Sequence, residues 1–167
     1  VNLYVDILNN GASAINSFNI GYNVEKYRKG SNSAGFSMQL YYSLDGIIWN
    51  AASGFLTSFT ADADNTGYTP SPGATVPVSS TLTLNIAPSS HLYLAWNYSV
   101  TTGTTTSNAQ ALGIDDVSIL AVGSGGITAT QLVMSGVPSG ASNGVPFDIT
   151  ICAQDAMNNT QTNYAND

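Results

Sequence analysis

Apolar and polar residues alternate along most of this chain. In "HLYLAWNYSV" Leu92, Leu94, Trp96, Tyr98 and Val100 share one parity, and His91, Tyr93, Ala95, Asn97 and Ser99 the other. "TLTLNI" sets Leu82, Leu84 and Ile86 opposite Thr81, Thr83 and Asn85, and "SFNIGYNV" groups Phe18, Ile20, Tyr22 and Val24. "SMQLYYSLDGIIW" alternates Met38, Leu40, Tyr42 and Leu44, then meets Asp45-Gly46, a dipeptide suited to a tight turn because both positions tolerate positive φ. A period of two is the signature of strands with one buried face. No window carries a helical apolar period over three turns. The chain therefore reads as all-β, and strands with one clean apolar face imply two antiparallel sheets packed as a sandwich or jelly roll.

"ALGIDDVSIL" breaks the rule. Leu112 and Ile114 lie on one parity, Val117 and Ile119 on the other, with Asp115 and Asp116 between them. A regular strand cannot bury both pairs. A β-bulge at the aspartates returns all four apolar residues to one face, because a bulge sets two residues opposite one.

The alternation divides the chain. Residues 1–122 read as the sandwich, with "FTADADNTGYTPSPGATVPVSS" as a long loop, and residues 123–127 as a flexible Gly/Ser linker. Residues 128–167 hold two strand-like runs, Thr130–Met134 and Phe147–Ala153. A piece of about 40 residues is below what folds alone without a staple. It is expected to be truncated, to dock on the sandwich, or to be completed by another chain.

Only 8% of the 167 residues are charged, against roughly a quarter in an average soluble domain. The net charge is −7, and the only cations, Lys26, Arg28 and Lys29, fall within four residues. Such a surface repels phosphate backbones and anionic membranes, which excludes nucleic-acid binding. No apolar run approaches the ~20 residues of a spanning helix. Val1 is not an initiator methionine, so a processed or partial product is expected. Cys152, the single cysteine, precludes an internal disulfide and reads as a half-buried strand residue.

"YSLDGIIW", "LYLAW" and "ALGIDDVSI" together resemble the jelly-roll modules of secreted bacterial surface proteins, whose YSxDGxxW hairpin and closing IDDV strand are similar to parts of MAM and carbohydrate-binding modules. "YNVEKYRKG" resembles the E-x-[WY]-R segment of the bacterial modules, and "LVMSGVPSGASNGVPFDITICAQDAMNN" resembles the opening of a bacterial immunoglobulin-like repeat. The resemblance spans roughly Ile15 to Leu120 and implies an extracellular or cell-surface protein. In the carbohydrate-binding relatives an aspartate of the closing strand often helps hold a structural calcium. That role would fall to Asp115 or Asp116, with Asp6 and Glu25 as the candidate further ligands.

Read without the resemblance, Asp115 and Asp116 have three possible states: calcium ligands, carboxylates paired with Arg28 or backbone N–H groups, or a solvated pair. "DADNTG" opens like a calcium loop through Asp62 and Asp64. Thr66 stands where a carboxylate or amide belongs, and Gly73 where an EF-hand needs glutamate. Glu25 to Lys29 is the one concentration of charge. It reads as an arginine tethering a loop carboxylate, or as a polar groove built from Tyr27 and Arg28. Tyr41 and Tyr93 lie on outward parities, Trp49 follows the turn, and these three are the candidates for contact with a ligand or a neighbouring subunit. Trp96 belongs to the core. Asn97 and Asn158 begin N-glycosylation patterns, and Thr101 to Ser107 is a candidate O-glycan cluster.

The catalytic inventory is poor. One His and one Cys, with no metal-ligand spacing, and two aspartate pairs too local to face each other across a cleft argue against an enzyme. Two functions are expected instead. One is a structural subunit of an extracellular fibre or adhesin, joined head to tail with copies of itself or neighbouring domains by strand addition of the C-terminal arm. The other is a carbohydrate-binding module of a larger secreted protein. Tyr41, Tyr93 and Trp49 on one concave face favour the second; their burial under a neighbour favours the first.

Overall fold

The structure is a computed structural model describing residues 1–11, 13–123, 131–136, 140 and 148–154. Two compact units divide it, Val1–Ser124 and Gly125–Asp167. Among the described residues there is no helix, and every strand pairing is antiparallel.

The first unit contains β1 (Asn2–Leu8), β2 (Ile15–Arg28), β3 (Phe36–Ser43), β4 (Asn50–Phe59), β5 (Ala74–Ile86), β6 (His91–Val100) and β7 (Ala111–Gly123). One sheet has the order β1-β6-β3-β4 and the other β5-β2-β7. The alternation decides which side of each strand is buried. Phe18, Ile20, Tyr22 and Val24 of β2 meet Met38 and Leu40 of β3 and Leu92, Leu94 and Trp96 of β6 in one core, closed by Phe55, Leu82 and Ile86. Two sheets sharing one apolar layer is the arrangement that one-faced strands require. Pro77 sits on β5, which pairs only with β2, so its missing N–H removes no bond from a central strand.

The bulge is where the parity break places it. Gly21 pairs with Ser118 and Asn23 with Asp115, so β7 spends one residue more than β2 between the two pairings. Asp116 takes up the extra length with φ of 51°, in the left-handed region that Asp and Asn enter more readily than most residues. Leu112, Ile114 and Ile119 then pack against the core from both sides of the irregularity. Val117 does not follow them: it is 44% exposed.

Two further expectations are corrected. Leu44 does not continue the buried face of β3, because the strand ends at Ser43 and Leu44 is 55% exposed. The connection to β4 is longer than a tight hairpin: it spans residues 44–49, and only Gly46 has positive φ (73°).

In the second unit β8 (Gln131–Ser135) pairs with β9 (Thr150–Gln154) as a two-stranded ladder. Leu132, Met134 and Ile151 are exposed on it, while Ala153 is 9% exposed. Cys152 is partly buried.

Candidate functional site

The outer face of the β1-β6-β3-β4 sheet is built by register. Tyr4 and Tyr41 both pair with Ala95, so two tyrosines flank one small residue on a single cross-strand row. In the next row Asn2 and Gln39 pair with Asn97, and in the row on the other side Asp6 and Ser43 pair with Tyr93. Side chains at paired positions stand within reach of one another on one face. The alanine leaves a hollow between larger neighbours. Asn2, Tyr4, Tyr41, Trp49, Ala95 and Asn97 line a depression of about 270 Å³ there.

Its walls are ordered by contacts of their own. The Tyr4 and Trp49 rings lie 5.5 Å apart at 59°, a tilted rather than coplanar pair. Asn97 Nδ2 donates to Asn2 Oδ1 (2.6 Å), and Asn2 Nδ2 donates to the Tyr4 hydroxyl (2.7 Å). With its oxygen already accepting, that hydroxyl keeps its proton for an incoming acceptor. Beside the depression, His91 stacks on Tyr93 (5.7 Å, 8°) and its Nδ1 lies 2.7 Å from Asp6 Oδ1. Trp49 arrives through the β3–β4 connection, which is shaped by Asp45. The Asp45 carboxylate accepts from the Ile47 and Ile48 N–H groups (2.8 Å each) and from Ser43 Oγ (2.9 Å). The Ile48 N–H leads the Ile47 N–H and Ser43 in holding its pKa below the usual carboxylate value.

The sheet β5-β2-β7 carries the other charged candidates, differently from expectation. Asp116 Oδ2 accepts from Asn23 Nδ2 (2.9 Å), and the Asp116 N–H donates to Asp115 Oδ1 (2.8 Å). Arg28 is not their partner: its Nη1 donates to the Ala109 carbonyl (2.8 Å). Tyr27 donates its hydroxyl to Glu25. That bond first, with the charges of Glu25 and Asp115 behind it, raises the phenol above its usual range. Asp6 lies with His91 on the other sheet from Glu25, Asp115 and Asp116, and among the described residues no group of three or more His, Cys, Asp and Glu is placed together to hold a metal ion.

The arginine tether is corrected to two lysines. Lys26 follows the buried parity of Val24, and its Nζ donates to Asp62 Oδ1 (2.7 Å). Asp62 Oδ2 accepts from the Gly30 N–H (2.8 Å) and Gln110 Nε2 (2.9 Å). Burial works against this carboxylate, but Lys26, Gly30 and Gln110 together lower its pKa. Asp64 accepts from Thr66 N–H, Thr66 Oγ1 and Lys29 Nζ, and these donors, Thr66 foremost, hold it at about 2. The aspartates of "DADNTG" thus anchor their loop to the end of β2 and the residues just after it, with protein donors on each.

Of the three residues named for ligand contact, Tyr41 and Trp49 line the depression and Tyr93 stands in the adjoining row. Tyr27 and Arg28 lie on the other sheet. Asn97 is a wall of the depression, with the nitrogen a glycan would occupy bonded to Asn2. Asn158 lies outside the described residues. Tyr4, Asn2 and Ala95 were not anticipated, although "NLYVDIL" alternates cleanly and puts Asn2, Tyr4 and Asp6 on one parity.

Comparison with known proteins found no matching family, no matching curated protein and no matching solved structure.

Proposed function

We propose that the first unit is a non-catalytic carbohydrate-binding module of an extracellular or cell-surface protein, and that it takes its ligand on the outer face of the β1-β6-β3-β4 sheet. The observation that carries this reading is the depression over Ala95, where aromatic rings and side-chain amides converge. Sugar rings offer C–H faces to aromatic rings and hydroxyls to amides, and recognition needs both kinds of group in one concavity. The chemistry favours neutral sugars. All three cations belong to β2 and the residue after it, away from this face, and Asp6 adds negative charge beside Tyr93. The tilt between Tyr4 and Trp49 suits a soluble chain with one ring seated, rather than a flat crystalline surface.

The jelly-roll resemblance points the same way. It is supported by a chain that changes sheet at nearly every connection: β1 to β2, β2 to β3, β4 to β5, β5 to β6 and β6 to β7.

The test is affinity electrophoresis of the full chain in gels containing laminarin, xylan, mannan or hydroxyethylcellulose, followed by fluorescence titration. Trp96 is 2% exposed, so Trp49 is the tryptophan whose emission a ligand on this face can change. We expect retardation by at least one polysaccharide, and binding on the order of tenfold weaker in Trp49→Ala and Tyr4→Ala, with Tyr27→Ala unaffected. Migration unaltered by every polysaccharide, or equal binding by all the variants, overturns the reading.

Strand addition by the C-terminal arm is the second reading, favoured by the outward apolar side chains of Leu132, Met134 and Ile151. Two-stranded ladders are marginal alone, so these strands gain from a third. Deleting residues 128–167 should then abolish any polymer formed by the full chain; a polymer that survives the deletion sinks this reading.

A further inference from the structure

We infer that the depression over Ala95 is also an aromatic cage for a quaternary ammonium group, a ligand class apart from the sugars proposed above. The rings of Tyr4, Tyr41 and Trp49 are among its walls, and Ala95, 4% exposed, lies between the two tyrosines as its floor. The negative faces of aromatic rings attract a cation, and its N-methyl groups pack on the same rings and on the alanine methyl as apolar surface.

Register sets the width. Tyr4 and Tyr41 flank Ala95 from strands two ladder spacings apart, so their backbones stand about 9.6 Å from each other and a group midway lies about 5 Å from either. A ring attracts a cation out to about 6 Å from its centroid. Trp49 closes a third side. It immediately precedes β4, yet its ring lies 5.5 Å from that of Tyr4 on β1, the opposite edge of the sheet. The 59° between those rings makes a corner, which offers two rings at once to a near-spherical trimethylammonium. Asn97 Nδ2 bonds Asn2 and Asn2 Nδ2 bonds the Tyr4 hydroxyl, so the Tyr4 wall is held before a ligand arrives.

The charges around the cage favour a cation. Among the described residues no charged side chain lines it. The adjoining row carries the Asp6 carboxylate, two residues along β1 from Tyr4 and so about 6.8 Å away, with its Oδ1 at 2.7 Å from His91 Nδ1. Lys26, Arg28 and Lys29 lie on or just after β2, in the other sheet. The Val1 ammonium, next in sequence to Asn2, donates to the Tyr98 carbonyl (2.9 Å). The net charge of −7 draws cations toward the whole surface and repels anions.

Fluorescence titration of the full chain with choline chloride, at ionic strength held constant with NaCl, reads this directly. Trp49 is a wall of the cage and Trp96 is 2% exposed, so the emission change belongs to Trp49. The expected result is saturation with a dissociation constant on the order of 1–10 mM, as suits an open, shallow cage. The uncharged isostere 3,3-dimethylbutanol, with carbon in place of the nitrogen, binds at least about fivefold more weakly. Tyr4→Leu and Tyr41→Leu each weaken choline by about the same factor, while Tyr27→Leu on the other sheet does not; matching thermal melts show that the fold is kept. Phosphatidylcholine vesicles distinguish the sources of the group. Sedimentation with vesicles that free choline reverses assigns it to a lipid headgroup, and choline binding without sedimentation assigns it to a soluble or polymer-linked ligand. No saturation by about 100 mM choline overturns the inference. So does equal affinity for the isostere, which would make the depression an apolar hollow only, or equal affinity in both tyrosine variants. Retardation by polysaccharides is read in separate gels, so either ligand class can fail without the other.

Discussion

The ammonium of Lys26 lies 2.7 Å from the carboxylate of Asp62, and the two side chains are 6% and 17% exposed. One end of the pair is on β2 and the other in the long loop before β5, so the contact fixes the loop to the sheet. Gly30 and Gln110 complete the set of donors on Asp62. Lys26 also lies 5.3 Å from the centre of the Phe59 ring.

Removing one partner of a mostly buried pair leaves the other charge without compensation. Lys26→Met is expected to lower unfolding stability by about 3 kcal/mol, and Asp62→Leu by a similar amount. The double variant should recover much of the loss, because a well-packed apolar pair replaces both charges. Urea denaturation of the four proteins measures this. Additive losses in the double variant would show that the pair is not coupled.

Acid should weaken the fold within a defined window. The folded pKa of Asp62 is depressed, and so are those of Asp45 and Asp64, the last to about 2. A depressed carboxylate contributes stability that is fully present above its unfolded value of about 3.9 and is lost as pH falls through the folded value. Urea midpoints should therefore hold down to about pH 4 and drop between there and about pH 2. Asp62→Asn should flatten part of that slope. Midpoints that rise on acidification would contradict the assignment.

Alkali acts on a different residue. Burial between the sheets pushes the Tyr22 phenol up to about 12, only partly offset by its neighbour Trp96, while its hydroxyl donates to the Phe55 carbonyl (3.1 Å). A raised folded pKa means stability complete below the unfolded value of about 10 and lost as pH rises from there through about 12. Absorbance titration of the phenolates should show Tyr22 ionising together with unfolding, and Tyr22→Phe should survive to higher pH. Equal alkaline midpoints for the two proteins would refute this.

The bulge can be tested at its strained residue. Asp116 occupies positive φ and accepts from Asn23. Asp116→Asn keeps both the left-handed preference and the polar side chain, so its stability should match wild type. Asp116→Val should lose about 1–2 kcal/mol, since a β-branched residue is disfavoured there. Thermal melts of the two variants settle it; equal melting temperatures would mean that the backbone conformation carries no weight.

The parity of apolar residues was enough to read β2, β3, β5 and β6 as one-faced, and its failure at Asp115-Asp116 marked the bulge in β7; β1 and β4 were not read from it. Both are local consequences of a repeat of two: a side chain's face is decided by its position, and an extra residue must be absorbed where parity slips. The polar partnerships were not legible in this way. Lys26 reads as a surface cation until the fold brings Asp62 beside it from thirty-six residues away. Tyr4 is not singled out by the sequence at all; only the pairing of β1 with β6 sets it across Ala95 from Tyr41.

What the sequence determined by itself is the all-β class, the buried face of most strands and the site of the irregularity, because these depend on neighbours two residues apart. Only the tertiary structure decided which strands lie side by side, and hence which aromatic rings and amides share a hollow and which carboxylate meets which cation. Those pairings join residues distant along the chain, and their register is set by the common core rather than by any segment alone.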